Sequence, residues 1–316
     1  MELGTWPLLD RLKPARHVLL AGAGGGYDVF AAVPLLTALQ ARGQRVSLAN
    51  LSFTNLSEVH GRRLTPHLVE VTAATNGPDL YFPERLLARW LDFKGTPAPV
   101  FAFDKTGVAP LRESYAVLQR ELGFDAIVLV DGGTDILMRG DEAGLGTPAE
   151  DLSSVAAADA LPIPLKLVMC VGFGIDAYHG VCHAHFLENV ATLAREGAYL
   201  GTAALLSGMP EADAYRDAVK HAMDQARYSS SIVNLSILSA IEGDFGDVHR
   251  TKRTSNSELF INPLMSLCWG FELEAIARGC LYLPDILETQ TALDVVLRIE
   301  AFRERITIRP RRPMPV

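Results

Sequence analysis

No stretch of this chain approaches the roughly 20 consecutive apolar residues that a membrane-spanning helix needs, so a soluble protein without a membrane role is expected. Paired cysteines are also missing. Cys170, Cys182, Cys268 and Cys280 stand apart with no C-x-x-C spacing, which argues against a disulfide framework and a paired-thiolate zinc site and favours a reduced, cytoplasmic setting. The first sixteen residues carry Glu2, Asp10, Arg11 and Lys13 and have no apolar signal core. Positive charge is scarce: 29 Lys and Arg face 37 Asp and Glu, a net charge of −8. Nucleic-acid affinity comes chiefly from Lys and Arg on phosphates, so nucleic acid is not expected as the main partner. A small anionic ligand remains compatible, because one basic cluster or one helix N-terminus is enough to hold it.

What the chain does have is apolar material, 49% of its 316 residues, enough for one large core or two closely packed domains. Three short, β-branched, nearly continuous apolar runs stand out: His17–Ala21, Ala126–Val130 and Lys166–Val171. Such runs read as parallel strands buried on both faces. Each ends in glycine and then aspartate at one spacing: Gly26-Tyr27-Asp28, Gly133-Thr134-Asp135 and Gly174-Ile175-Asp176. In an open parallel sheet, ligands bind beyond the carboxyl ends of the strands. If the three tips belong to one sheet, three carboxylates converge on one crevice.

The wider pattern alternates strand and helix. Strands are expected at His17–Gly22, Arg45–Leu51, Leu68–Ala73, Val100–Phe103, Ala126–Val130, Lys166–Val171 and Tyr199–Leu205. Helices are expected at Val29–Ala41, from Pro83, at Leu111–Leu122, Asp151–Ala160 and Val181–Glu196, as a pair between Glu211 and Glu242, and over Pro284–Phe302. Glu258–Phe271 reads as strand, and Met138–Pro148 as a polar loop over the site or at the surface. The expected fold is α/β: one domain over 1–316 built on a mostly parallel, doubly wound, Rossmann-like sheet with helices on both faces. A helical insert is expected within 206–256, and a frayed C-terminal tail over 306–316.

Four segments carry candidate chemistry. Gly22-Ala23-Gly24-Gly25-Gly26-Tyr27-Asp28 lies between a strand and a helix, where Gly24, Gly25 and Gly26 can cradle an anion with backbone N–H groups. No Walker lysine follows, Tyr27 occupies the third glycine position of the dinucleotide pattern, and the second strand ends without an acidic residue; NAD is not expected. The plainer alternative is a tight turn with Asp28 as an N-cap. In Asp131-Gly132-Gly133-Thr134-Asp135, two carboxylates flanking two glycines can hold a divalent cation, grip a diol, or act as base and orienter; the alternative is helix capping. Gly174 and Asp176 precede His179, Cys182, His183 and His185. The histidines can ligate a transition metal, line the pocket as acid or base, or simply face solvent, and Cys182 is a candidate nucleophile beside them. Finally, Arg250, Lys252 and Arg253 can clamp a phosphate or carboxylate, or form a solvated charge run.

The GAGGGYD loop, the VDGGTD tip, the RGDE and GLGTPAED stretch behind it and the late INPLMSLCW segment together resemble the prokaryotic domain-of-unknown-function family numbered 1152. The resemblance covers nearly the whole chain and is most specific from VDGGTD to GTPAED. It implies a soluble prokaryotic protein and no particular activity. The residues themselves favour a hydrolase or group transferase acting on a small polar metabolite, ribose- or phosphate-bearing, with or without a divalent metal. Asp28, Asp131, Asp135 and His183 are the catalytic candidates. Gly24–Gly26, Gly132, Gly133, Thr134, Gly174, Asp176, Arg250 and Arg253 are candidates for ligand binding, and His179, His183 and His185 for a metal. No G-x-S-x-G elbow supports serine hydrolysis. A non-catalytic nucleotide- or metabolite-binding protein is the alternative, and a homo-oligomer is compatible with either. An assembly subunit is a third class, and it predicts that the three tips do not meet.

Overall fold

The computed structural model describes residues 5–226, 230–251, 254–255 and 259–314. Helix α1 (Pro7–Leu12) precedes β1 (His17–Gly22), after which come α2 (Asp28–Ala31), α3 (Val33–Ala41), β2 (Arg45–Ser52), β3 (Arg62–Thr65), β4 (Leu68–Val71), α4 (Pro83–Phe93), β5 (Val100–Asp104), α5 (Val108–Leu122) and β6 (Ala126–Asp131). The second half runs α6 (Pro148–Asp159), β7 (Leu165–Cys170), α7 (His183–Arg195), β8 (Tyr199–Ala204), α8 (Pro210–Gln225), α9 (Ile232–Ile241), β9 (Gly246–Asp247), β10 (Phe260–Ile261), β11 (Leu267–Glu272), α10 (Leu273–Gly279), α11 (Leu283–Ile286) and α12 (Ala292–Arg303).

One sheet organises the fold, in the order β3-β4-β5-β2-β1-β6-β7-β11-β8. Its centre, β5-β2-β1-β6-β7, is parallel, and every residue of β1 and β6 is buried. That burial is why these strands read as unbroken apolar runs. Alternate strand residues feed two apolar cores. Leu19, Ala21, Ile127 and Leu129 face α5, α6, α7, α10 and α12; Val18, Leu20, Val128 and Val130 face α1, α2, α3, α4, α8 and α9. The α/β, Rossmann-like expectation is met. The chain builds outward from β1 through β2 to β5, then returns to β6 on the other side of β1. Ligand crevices form at such a reversal of strand order, and here it lies between the tips carrying Asp28 and Asp131.

Several boundaries differ from expectation for identifiable reasons. The single helix Val29–Ala41 is two, α2 and α3, because Pro34 lacks the N–H that would continue the ladder. The strand expected over Leu68–Ala73 is the shorter β4, antiparallel to both of its neighbours. Much of Glu258–Phe271 is not strand: a 3-10 helix, Pro263–Ser266, separates β10 from β11, and β11 runs antiparallel between β7 and β8. Pro284–Phe302 is likewise interrupted, and α12 restarts from a capping box at Thr291 and Asp294. Helix α6 begins at Pro148, three residues before the expected start at Asp151. In the 206–256 region, α8 lies in the same layer as α3 and α4.

The described part of the C-terminal tail is docked, in contrast to the frayed end expected. Arg309 bonds Glu188 Oε2 at 2.5 Å, Asp141 Oδ1 at 2.9 Å and Glu142 Oε1 at 3.0 Å. Glu142 is wholly buried and also accepts from the Arg139 and Gly140 amides and from Asn189. Hydrogen bonds to charged groups stabilise by about 1.5–3 kcal/mol. Arg309→Ala is therefore expected to cost about 1–3 kcal/mol in urea denaturation, whereas Arg312→Ala, at an exposed pair, should fall within about 0.5 kcal/mol of wild type. Equal effects of the two changes would refute a tail fastened through Arg309.

Candidate functional site

The turn after β1 is shaped by close packing. A side chain on Gly22 would collide with Asn50 Oδ1, and Gly25 and Gly26 take φ of +93° and +62°, a region L side chains avoid. The turn delivers Asp28 to the first position of α2. The amides of Gly24, Gly25 and Gly132 are directed at its carboxylate. The Gly24 and Gly25 amides, on the loop expected to cradle an external anion, thus face an internal carboxylate.

At the neighbouring tip, Asp131 closes β6 and accepts the Ile136 amide at 3.3 Å. The Thr134 amide donates to Asp176 at 2.6 Å, with the Thr134 hydroxyl at 3.3 Å. Asp135 accepts from the Thr147 amide at 2.6 Å and the Thr147 hydroxyl at 2.9 Å. That hydroxyl also lies 3.2 Å from Asp151 Oδ2. It has one proton for two carboxylates, so full pairing requires one of the two to be protonated.

Asp151 is the site residue that sequence reasoning missed. The expected helix began at Asp151 and gave that residue no role in the site. The observed start at Pro148, with Thr147 at the N-cap, turns Asp151 into the sheet tips with no exposure. The signal was present as Thr147-Pro148, a residue type favoured at N-caps followed by proline at the first helical position.

All three tips meet. Asp28, Asp131 and Asp151 bring carboxylate oxygens within 4.8 Å of one another; Thr147 links Asp135 to Asp151, and Asp176 is tied to the Asp131–Asp135 tip by Thr134. Only glycine fits between these groups. A Cβ on Gly24 would lie 2.8 Å from both Asp28 Oδ2 and Asp151 Oδ1; one on Gly132, 2.8 Å from Asp28; one on Gly133, 2.7 Å from Asp176; one on Gly146 would run into Asp135. Asp131, Asp135, Asp151 and Asp176 are buried, and Asp28 is partly exposed.

Charges this close cannot all persist. Burial, then the neighbouring Asp135, raises the Asp28 pKa to about 8 against the opposing pull of the glycine amides. Burial and the surrounding carboxylates hold Asp131, Asp151 and Asp176 well above the usual carboxylate range. Burial also raises Asp135, opposed by its two bonds from Thr147. Among the described residues none of the five pairs with Lys or Arg; the nearby Lys105 is bound to Glu150. Asp28 Oδ2 and Asp151 Oδ1 are buried without any hydrogen-bond partner. A divalent cation bound through oxygen would supply the missing charge and coordination.

The histidines do not assemble a metal site. Among the described residues the three-ligand geometry belongs only to Asp28, Asp131 and Asp151. Helix α7 starts at His183, so His179 lies outside it, at the end of a separate 3-10 helix capped by Gly180. His183 and His185, two apart on a helix, point to different sides. His179 is exposed. His183 lines a cleft too tight for water with Thr134, Gly174 and Asp176, and burial holds its pKa down. His185 is buried near Arg309 and Glu142. Cys182 bonds the Arg312 carbonyl under the tail. Arg250 is engaged by Glu242 and Asp244, in the manner of a surface charge network; Arg253 and Lys252 lie outside the described residues.

A family model described as a protein of unknown function (DUF1152) matches residues 62–301. The match takes in Asp131, Asp135, Asp151 and Asp176, while Asp28 and the glycine loop precede it. No curated protein matches.

The Asp28 shift gives a signed pH dependence. Between its unfolded value near 3.8 and its folded value near 8 the folded state holds the extra proton, so its stabilisation is complete below the lower value and is lost as pH rises through the upper one. The Tm of metal-free protein should fall from pH 5 to pH 8.5, and Asp28→Asn should flatten that decline. A metal-free Tm rising across this interval would contradict the account.

Proposed function

The chain belongs to the DUF1152 family, and since membership assigns no activity, we propose from the geometry that it is a divalent-metal-dependent hydrolase or group transferase acting on a small polar metabolite. The observation that carries this reading is the pair of buried, unpartnered oxygens, Asp28 Oδ2 and Asp151 Oδ1, on a three-carboxylate cluster packed against glycines. An all-oxygen set suits a hard cation, Mg²⁺ or Mn²⁺, over zinc. This replaces the histidine-based metal as the reading for the site.

A bound cation would supply Lewis acidity and an acidified water. The chain's own residues would do the rest. Asp28, Asp131 and Asp151 hold the ion. Asp135 and Asp176, with raised pKa values and fixed by Thr147 and Thr134, are suited to accept and return a proton. His183, kept neutral beside Asp176, is a further proton acceptor. Substrate would approach from the Asp28 side, the one carboxylate of the five that is partly exposed. A reduced cytoplasmic setting agrees with four free, buried cysteines.

Metal-free protein titrated with MnCl₂ or MgCl₂ should gain thermal stability, about 2.7 kcal/mol at one hundred times the dissociation constant. Asp151→Asn should abolish that gain, at least a hundredfold in affinity, while leaving the metal-free protein at least as stable as wild type. A screen of nucleotides, nucleosides and sugar phosphates with Mn²⁺ should then find turnover that Asp135→Asn abolishes. Metal binding that persists undiminished in Asp151→Asn would refute the assignment. Ligand binding without turnover, lost in Asp135→Asn, would identify a binding protein.

A further inference from the structure

On the other side of the glycine turn lies a cavity of about 380 Å³ between α4, α8 and the segment 79–82, with Tyr27, Tyr81, Phe82, Arg85, Arg89 and Gln225 in its wall. That volume is in the range of ordinary small-ligand pockets. Arg85 is only 7% exposed. Its guanidinium sits 4.9 Å from the Phe82 ring centroid and donates to the Gly77 and Pro78 carbonyls at 3.3 and 3.1 Å, and its Nε has no partner. The carboxylate that meets it is Asp79, at 3.1 Å, whose side chain is 87% exposed. Arg89 has no ion pair among the described residues. It donates to the Ala73 carbonyl at 3.3 Å and reaches Gln225 Oε1 at 3.5 Å. Asp224 also lines the opening and is exposed.

Two guanidinium groups facing one cavity repel each other, and exposed carboxylates at its rim are screened by water and offset this weakly. We propose that this cavity is an oxyanion site in which Arg85 and Arg89 hold the phosphate or carboxylate group of a small metabolite. Arginine presents a planar fork of donors that matches such groups in two-point fashion. Tyr27 is shared: its ring lines the cavity, and the next residue is Asp28. Gly26 packs so closely that a Cβ there would lie 2.6 Å from Tyr81 Oη. The two sites are thus separated by one turn of chain, and the oxyanion site does not depend on whether the carboxylates bind metal.

Calorimetric titration of the full chain with sodium phosphate, pyrophosphate and succinate, at ionic strength fixed with NaCl, tests this. Wild type should bind at least one of the three, and phosphate against succinate identifies the anion class. Arg89→Ala should weaken that binding at least tenfold with Arg89→Lys intermediate, and Asp151→Asn should leave it within twofold. Arg85→Lys, which retains charge at the buried position, should also weaken it if the protein folds; the half-buried Arg89 variants keep the test open if it does not. No binding by wild type, or affinity unchanged in Arg89→Ala, would overturn the oxyanion site. Loss of metal binding in Asp151→Asn with anion binding retained would support it as a second, independent site.

Discussion

Mutual repulsion among five aspartates at the tips of one sheet is the constraint from which much of the local architecture follows. Each carboxylate approaches the others because the backbone beside it carries no side chain, at Gly24, Gly132, Gly133 and Gly146. Each is steadied by donors of the main chain or of a single threonine, without a neutralising base. Burial in a medium less polarisable than water makes the repulsion expensive, and the upward pKa shifts are its direct consequence. A fold whose only demand was stability would fill this space with apolar side chains. Retaining the carboxylates is the kind of local frustration that marks functional sites.

The parallel sheet makes this concentration of charge feasible. Its interior strands are hydrogen-bonded on both edges and buried on both faces, so the β1 and β6 tips are held rigidly side by side. The reversal of strand order between them leaves room beyond their carboxyl ends, and the antiparallel strands at either flank extend the sheet without entering that space. The oxyanion cavity uses the same turn from its opposite side, so Tyr27 and Asp28, adjacent in sequence, serve different surroundings.

The segment behind Asp135 is organised by a second buried acid. Glu142 gathers the amides of Arg139 and Gly140, the Asn189 side chain and the Arg309 guanidinium. It thereby ties the loop that returns to Gly146 and Thr147 to α7 and to the tail. Here the carboxylate is fully partnered, in contrast to Asp28 and Asp151, each of which has an orphaned oxygen. The contrast separates a structural carboxylate from one whose coordination is incomplete.

Periodicity and glycine punctuation by themselves determined the central strands, the α/β class and the convergence of Asp28, Asp131, Asp135 and Asp176, because a doubly buried strand must be apolar and a close turn must be glycine. These are local requirements, and local requirements leave marks in the sequence. Tertiary structure alone decided the rest. The three-residue difference at the start of α6 brought Asp151 into the site, and Gly180, which ends the 3-10 helix before α7 begins, kept the histidines from acting as one ligand set. It also decided the docking of Arg309 on Glu142 and the closure of a cavity by α8 over the face of α4 that carries Arg85 and Arg89. Each depends on which distant group a side chain or amide faces, and that is a property of packing between elements remote in the chain.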